Sequence, residues 1–252
     1  MRSCSDPNSL SEAWESQYAA LAGRAARLLP SATENILELG CGRGQFTIPL
    51  AAVSPNARIL AVDRFQGSYA PTYGELLASL WRGHLSQRVA VKRGDGLRWL
   101  SRRRSRGFQS VVSSEFLPEV TAKEMSTFFR NCFRVLDPGG STVHIFLSPI
   151  ARSPQQQLVI EADSDPRWTR RSPQGWFSPP PRLALSALAE AGFTRIRSEI
   201  IPSGLRFTRA AALRQLRRWG VRAAFGRLLG IDRGFSSLEL PDWVMLSGKR
   251  TS

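Results

Sequence analysis

The residues of this sequence best suited to chemistry are carboxylates at the ends of short apolar runs. Glu38 lies inside the run 36–39, Asp63 closes the run 58–63, Asp95 follows a third run, and Glu115 and Glu119 follow a fourth. Directly after the first run, Gly40, Gly42 and Gly44 stand at alternate positions. Glycine permits backbone angles closed to other residues and lets main chain approach a ligand, so Gly40-Cys41-Gly42 reads as a cradle. Gly44 reads as the position where a helix packs closely on the strand. An acidic residue about 20 positions beyond such a cradle can accept the hydroxyls of a ribose. Asp63, nineteen positions after Gly44, fills that place. Cradle and carboxylate together specify a ligand containing adenosine.

The third glycine says which kind. A pyrophosphate on a helix N-terminus needs Gly-x-Gly-x-x-Gly/Ala, whereas Gly40-x-Gly42-x-Gly44 is followed by Gln45, which weakens an NAD-dependent oxidoreductase. The full pattern Glu38-x-Gly-x-Gly-x-Gly, with the second run and Asp63, resembles motif I of the class I S-adenosylmethionine-dependent methyltransferases. The turn Asp137-Pro-Gly-Gly140 and the segment around Trp176-Phe-Ser-Pro179 extend that resemblance.

The resemblance implies S-adenosylmethionine as cofactor, held by Glu38, Gly40, Cys41, Gly42, Gly44, Asp63, Arg64, Asp95, Gly96 and Ser114, with the glycine loop at the methionine part, Asp63 at the ribose and Asp95 near the adenine amino group. For Asp95 a helix N-cap is an equal and compatible reading. Methyl transfer mainly needs alignment of an acceptor lone pair with the methyl carbon. Ligands of open parallel sheets bind at the carboxyl ends of the strands, which places Ser114, Glu115 and Phe116 near the reacting methyl. Glu115 is the first candidate general base and Glu119 the second.

Elements must position these groups. Apolar runs alternating with helical spacing give strand 35–39, helix 44–53, strand 58–63, helix 72–84, strand 88–92, strand 108–113, helix 122–135 and strand 141–147. Such alternation implies a parallel sheet covered by helices on both faces. A helix at 183–191 and strands at 194–200 and 243–248 complete the expected fold. The family resemblance makes it a three-layer, Rossmann-like α/β sheet, mostly parallel, with an antiparallel last strand. The whole chain, 1–252, is expected to be a single domain with an N-terminal lid helix at 10–29 and cap insertions at about 148–181 and 203–235. The first insertion is polar and Pro-rich and reads as a long loop overhanging the acceptor side. Glu161, Asp163, Trp168 and Trp176, with Phe116, are its candidate acceptor contacts. His144, mid-strand, is expected to pack in the core.

Composition narrows the partners. A net charge of +15 makes nucleic acid a possible one, but all but three of the 35 basic residues are arginine, which a compositional bias would also produce. The acceptor is therefore open, with protein or RNA slightly ahead of a small molecule, and a non-catalytic cofactor- or RNA-binding protein is the alternative. The sequence lacks the Asn/Asp-Pro-Pro-aromatic tetrad of exocyclic-amino methyltransferases and a Pro-Cys nucleophile for cytosine C5 chemistry. Three scattered cysteines and two histidines give no metal or disulfide pattern, so no metal is expected. No apolar run approaches the ~18 residues of a membrane helix, and no signal-peptide core is visible, so a cytoplasmic protein without a membrane partner is expected.

Overall fold

The computed structural model describes residues 2–4, 7–66, 70–103, 106–163, 178–208, 210–211 and 237–251. In chain order the elements are β1 (Arg2–Cys4), α1 (Pro7–Ala26), β2 (Asn35–Leu39), α2 (Thr47–Val53), β3 (Arg58–Asp63), α3 (Thr72–Arg82), β4 (Val89–Arg93), α4 (Gly96–Arg102) and β5 (Phe108–Ser114). There follow α5 (Met125–Val135), β6 (Leu136–Leu147), α6 (Pro154–Asp163), α7 (Pro181–Glu190), β7 (Thr194–Ile201), β8 (Leu205–Thr208), β9 (Ser237–Glu239) and β10 (Trp243–Lys249).

Seven strands form the main sheet in the order β4-β3-β2-β5-β6-β10-β7. The pairs β4–β3, β3–β2, β2–β5 and β5–β6 are parallel, and one strand of the seven is antiparallel, as expected. The chain order therefore reverses between β2 and β5, which is where an open α/β sheet leaves a crevice at its strand ends. Central β2 is buried from Ile36 to Leu39, as a strand covered on both faces must be. The covering helices are amphipathic: α5 buries Met125, Phe128, Phe129, Cys132 and Val135, and α3 buries Leu76 and Leu80.

The limits of the expected main-sheet strands and their helices agree with the sequence reading to within a few residues, with two exceptions, while the short strands β1, β8 and β9 were not expected. The turn expected at 136–140 is absorbed into β6, whose register jumps from Phe108↔Leu136 to Ser110↔Ser141. A Cβ on Gly140 would lie 2.9 Å from the Asp137 carbonyl and 3.0 Å from that of Gln109, so only glycine lets the chain fold back on itself there. The expected loop at 148–181 contains helix α6 over ten residues.

The chain divides into two compact units. Tyr18–Phe146, Pro179–Glu199 and Met245–Ser252 form the one that holds most of the main sheet. Met1–Gln17, Leu147–Ser178 and Ile200–Val244 form the other, which contains a three-stranded sheet, β1-β8-β9. The latter is tied by long-range polar contacts. Asp242, 2 % exposed, pairs with the guanidinium of Arg152 and accepts from the Ser203 N–H at 3.3 Å. Gln156 donates to the Leu240 carbonyl at 3.2 Å, and the Trp243 indole donates to Gln17 at 2.8 Å. No described helix is long and apolar enough to cross a membrane. Cys41 and Cys132 are buried free thiols.

Candidate functional site

The site grows from the turn after β2. Gly40, Gly42 and Gly44 have φ of 76°, 47° and 82°, in the left-handed region that glycine enters without steric cost. A Cβ on Gly40 would lie 2.8 Å from Cδ2 of Phe116, so the loop's backbone rests directly on that ring. The N–H of Gly44 donates to the Cys41 carbonyl at 2.8 Å and closes the turn.

Asp63, at the end of β3, fixes the same loop. Its Oδ2 accepts from the Gly42 N–H at 2.9 Å and its Oδ1 from the Phe65 N–H at 2.8 Å. A carboxylate has about four lone-pair positions, so both oxygens keep room for ligand hydroxyls. Two non-glycine residues at the strand ends adopt left-handed angles, Phe65 (φ 48°) after β3 and Glu115 (φ 57°) after β5. Backbone held in so sparse a region costs about 1–2 kcal/mol per residue and clusters at functional sites.

Glu38 lies inside β2 with no exposed surface, and neither carboxylate oxygen has a hydrogen-bond partner. Burial is the main reason that its carboxyl is pushed up to about 8; the nearby Thr47 hydroxyl favours the charged form and Asp63 opposes it. The Thr47 hydroxyl is itself buried and makes no hydrogen bond of good geometry. Burial, then the charges of Glu38 and Asp63, hold the Cys41 thiol well above its ordinary range, so this cysteine is an inert part of the cradle. The Ser114 hydroxyl is likewise buried without a partner. Buried polar atoms without partners are rare in folded proteins.

The remaining sequence candidates fall into three groups. Asp95 caps α4, accepting from the Arg98 N–H at 2.9 Å, and also lies 3.7 Å from the guanidinium of Arg64. Arg64 in turn binds Glu119 at 2.5 Å, so one guanidinium ties the ends of β3, β4 and β5 together. No spacing in the sequence links positions 64 and 119. Phe116 is buried against Gly40 and Gly96, 5.9 Å from Phe128, under the cradle. Glu115 is half-buried at the end of β5. Glu161 and Asp163 fall on the last turn of α6, and Trp168 and Trp176 lie outside the described residues.

His144 is fully buried, as expected, and packs edge-on to Phe128 and Phe129. The Thr142 hydroxyl donates to the Val111 carbonyl at 3.0 Å, so it accepts from His144 Nε2, 2.6 Å away. Nδ1 then accepts from Ser113 at 2.8 Å, which assigns a neutral ring; burial drives its pKa down to about 3.

Residues 36–140 match the family model for a methyltransferase domain. No curated protein matches the sequence. Among solved structures, an O-methyltransferase family protein from Burkholderia thailandensis is similar with a TM-score of 0.60 and 14% identity, over 97% of this chain and 57% of its own. A SAM-dependent methyltransferase from Archaeoglobus fulgidus is similar with a TM-score of 0.60 and 14% identity, over 94% of each chain. A mitomycin 7-O-methyltransferase follows at 0.58 and 14%, over 93% of this chain and 54% of its own. This chain thus spans just over half the length of the Burkholderia and mitomycin proteins, and the likeness establishes a shared fold.

Proposed function

We propose that this chain, whose residues 36–140 match a methyltransferase domain and whose fold is shared with S-adenosylmethionine-dependent methyltransferases, is a class I enzyme of that kind and moves a methyl group from S-adenosylmethionine to a small-molecule acceptor. The observation that carries the reading is Glu38, a fully buried carboxyl beneath the glycine loop with neither oxygen bonded. When bound, S-adenosylmethionine supplies an electrophilic methyl group on a sulfonium. Its positive charge would favour the ionised form of Glu38, whose carboxyl burial otherwise keeps largely protonated at neutral pH.

In this reading Asp63 accepts the ribose hydroxyls while its two backbone bonds keep the loop in place. Gly96 and Asp95 border the adenine, and Arg64 holds the three strand ends in register through Asp95 and Glu119. Ser114 and Glu115 stand at the end of β5, where the methyl would be transferred. The residues at the end of β5 would mainly have to align an acceptor lone pair with the methyl carbon. Where the acceptor must lose a proton, Glu115 takes it; Glu119, engaged by Arg64, stands second. Glu161, Asp163, Trp168 and Trp176 are the proposed acceptor contacts.

Two observations favour a small acceptor over protein or RNA. The fold relatives include a protein named for methylating mitomycin. Several arginines behind the net charge are also committed internally. Arg88 donates to the carbonyls of Ala51, Ser54 and Ala57, Arg134 to Leu100 and Ser101, and Arg250 to Phe133 and Leu136.

The test is incubation with methyl-labelled S-adenosylmethionine and size-fractionated cell extract, alongside calorimetry of cofactor binding. Label in the small-molecule fraction is expected. Label in protein or RNA overturns the acceptor class, and binding without transfer to any fraction leaves a non-catalytic cofactor protein. Glu115→Gln should slow transfer by about 10²-fold or more if Glu115 is the base, with cofactor affinity unchanged.

A further inference from the structure

The two edges of the main sheet differ in how they meet solvent. β4, at one end, is five residues long and presents Lys92 and Arg93. Charged side chains on a short edge oppose the addition of another strand. β7, at the other end, is eight residues long and exposed along almost its whole length, with Ile200 48% exposed. A strand this open leaves a row of backbone donors and acceptors available for pairing. Its start is kinked, because Arg195 has φ 49°, so regular pairing is confined to Ile196 and beyond.

The side chains of β7 complement themselves. In an antiparallel pair related by a two-fold axis normal to the sheet, each residue keeps its own face, and the axis must pass through a residue. Through Ser198, Arg197 stands opposite Glu199 of the other strand, twice by symmetry, while Ile196 stands opposite Ile200 and Ser198 opposite itself. Shifting the axis to residue 197 sets Arg197 against Arg197, and shifting it to 199 sets Glu199 against Glu199. Directly opposed like charges destabilise a pair, and opposed unlike charges and β-branched residues stabilise it. One register therefore satisfies both faces.

We propose that β7 is a self-association edge: two copies of this chain pair antiparallel about Ser198 and join their sheets into one of fourteen strands. Glu199 already pairs with Arg24 of its own chain at 2.5 Å, so the partner's Arg197 would complete an Arg–Glu–Arg group. That group borders a pocket of about 300 Å³ lined by Leu28, Arg197, Ser198, Glu199, Met245 and Ser247.

The register makes a specific test possible. In a Cys4→Ser background, where the remaining native thiols Cys41 and Cys132 are buried, Ser198→Cys places one new thiol on the two-fold axis. Directly opposed Cβ atoms lie about 4.5–5.5 Å apart, within reach of oxidation after small adjustment. Mild oxidant should convert Ser198→Cys to a covalent dimer on a non-reducing gel, while Arg82→Cys on exposed α3 stays monomeric. The unmodified chain should sediment as a dimer at high concentration. Arg197→Glu, which opposes like charges twice, should weaken dimerisation about tenfold or more. Circular dichroism checks that this variant is folded. Adding Glu199→Arg to Arg197→Glu restores opposite charges across the pair and should recover the dimer. A chain that sediments as a monomer at every concentration overturns the proposal, as does equal cross-linking of Ser198→Cys and Arg82→Cys.

Discussion

The glycine cradle and the Asp242 cluster are both held by a few polar contacts to one carboxylate, but they span the sequence differently. Asp63 reaches the Gly42 N–H across 21 positions and the Phe65 N–H across two. Asp242 meets Ser203 39 positions away and Gln156 86 away, and neighbouring Trp243 reaches back 226 positions to Gln17. In the cradle the backbone supplies the donors, so identity matters only at the glycines and the acid. In the cluster side chains of several types interlock, and each partner is replaceable by another of similar shape. A local backbone device leaves a pattern in the sequence; a long-range side-chain network leaves none.

The sharpest way to separate the two regions is Asp242→Ala. Removing a buried carboxylate takes the acceptor from the Ser203 N–H and the Gln156 amide and leaves half-exposed Arg152 to solvent, at an expected cost of about 2–4 kcal/mol. Urea titration should register the loss, and limited proteolysis should cut within 147–178 or 200–244 first. Cofactor affinity that falls in parallel with stability would erase the distinction between the regions.

Gly40→Val should follow in size. The new side chain meets Phe116 at 2.8 Å and holds φ at 76°, and the two effects together cost about 2–4 kcal/mol. The same substitution should abolish cofactor binding in calorimetry. A stable Gly40→Val variant would mean that the Phe116 ring yields, and that the cradle is less tightly built than its contacts indicate.

Asp63→Ala should retain the fold and weaken cofactor binding by about 1–3 kcal/mol, since the Gly42 and Phe65 N–H groups and the ribose hydroxyls lose their acceptor. Calorimetric affinity equal to that of the unaltered chain would remove Asp63 from the site.

The smallest effect is a dependence on pH. Glu38 is raised from 4.5 to about 8 in the folded chain, so the folded state binds the extra proton between these values and stability falls as pH rises through that window. His144 acts with the opposite sign. Lowered from 6.5 to about 3, it makes stability rise with pH up to about 6.5. Each slope is at most about 1.4 kcal/mol per pH unit, and the two oppose each other where their windows overlap. Glu38→Gln should remove the decline between pH 6.5 and 8 and leave the acid-side rise intact. A decline that persists in Glu38→Gln would assign it to another group.

Much of this protein was legible in its residue order. The central strands β2, β3 and β5 follow from apolar runs near their observed limits, because a parallel strand buried on both faces must be largely apolar. The glycine spacing and Asp63 identified the cradle, because left-handed turns and backbone approach exclude most other residues. Tertiary structure decided the rest. It set Arg64 between Asp95 and Glu119 and laid Phe116 beneath Gly40 and Gly96. It turned the expected Pro-Gly-Gly turn into an irregularity of β6, and it brought Arg152, Gln156 and Ser203 together on Asp242. The physical reason is the same in each case: a guanidinium, a phenyl ring or a buried carboxylate accepts many partners, and only folding determines which of them come within reach.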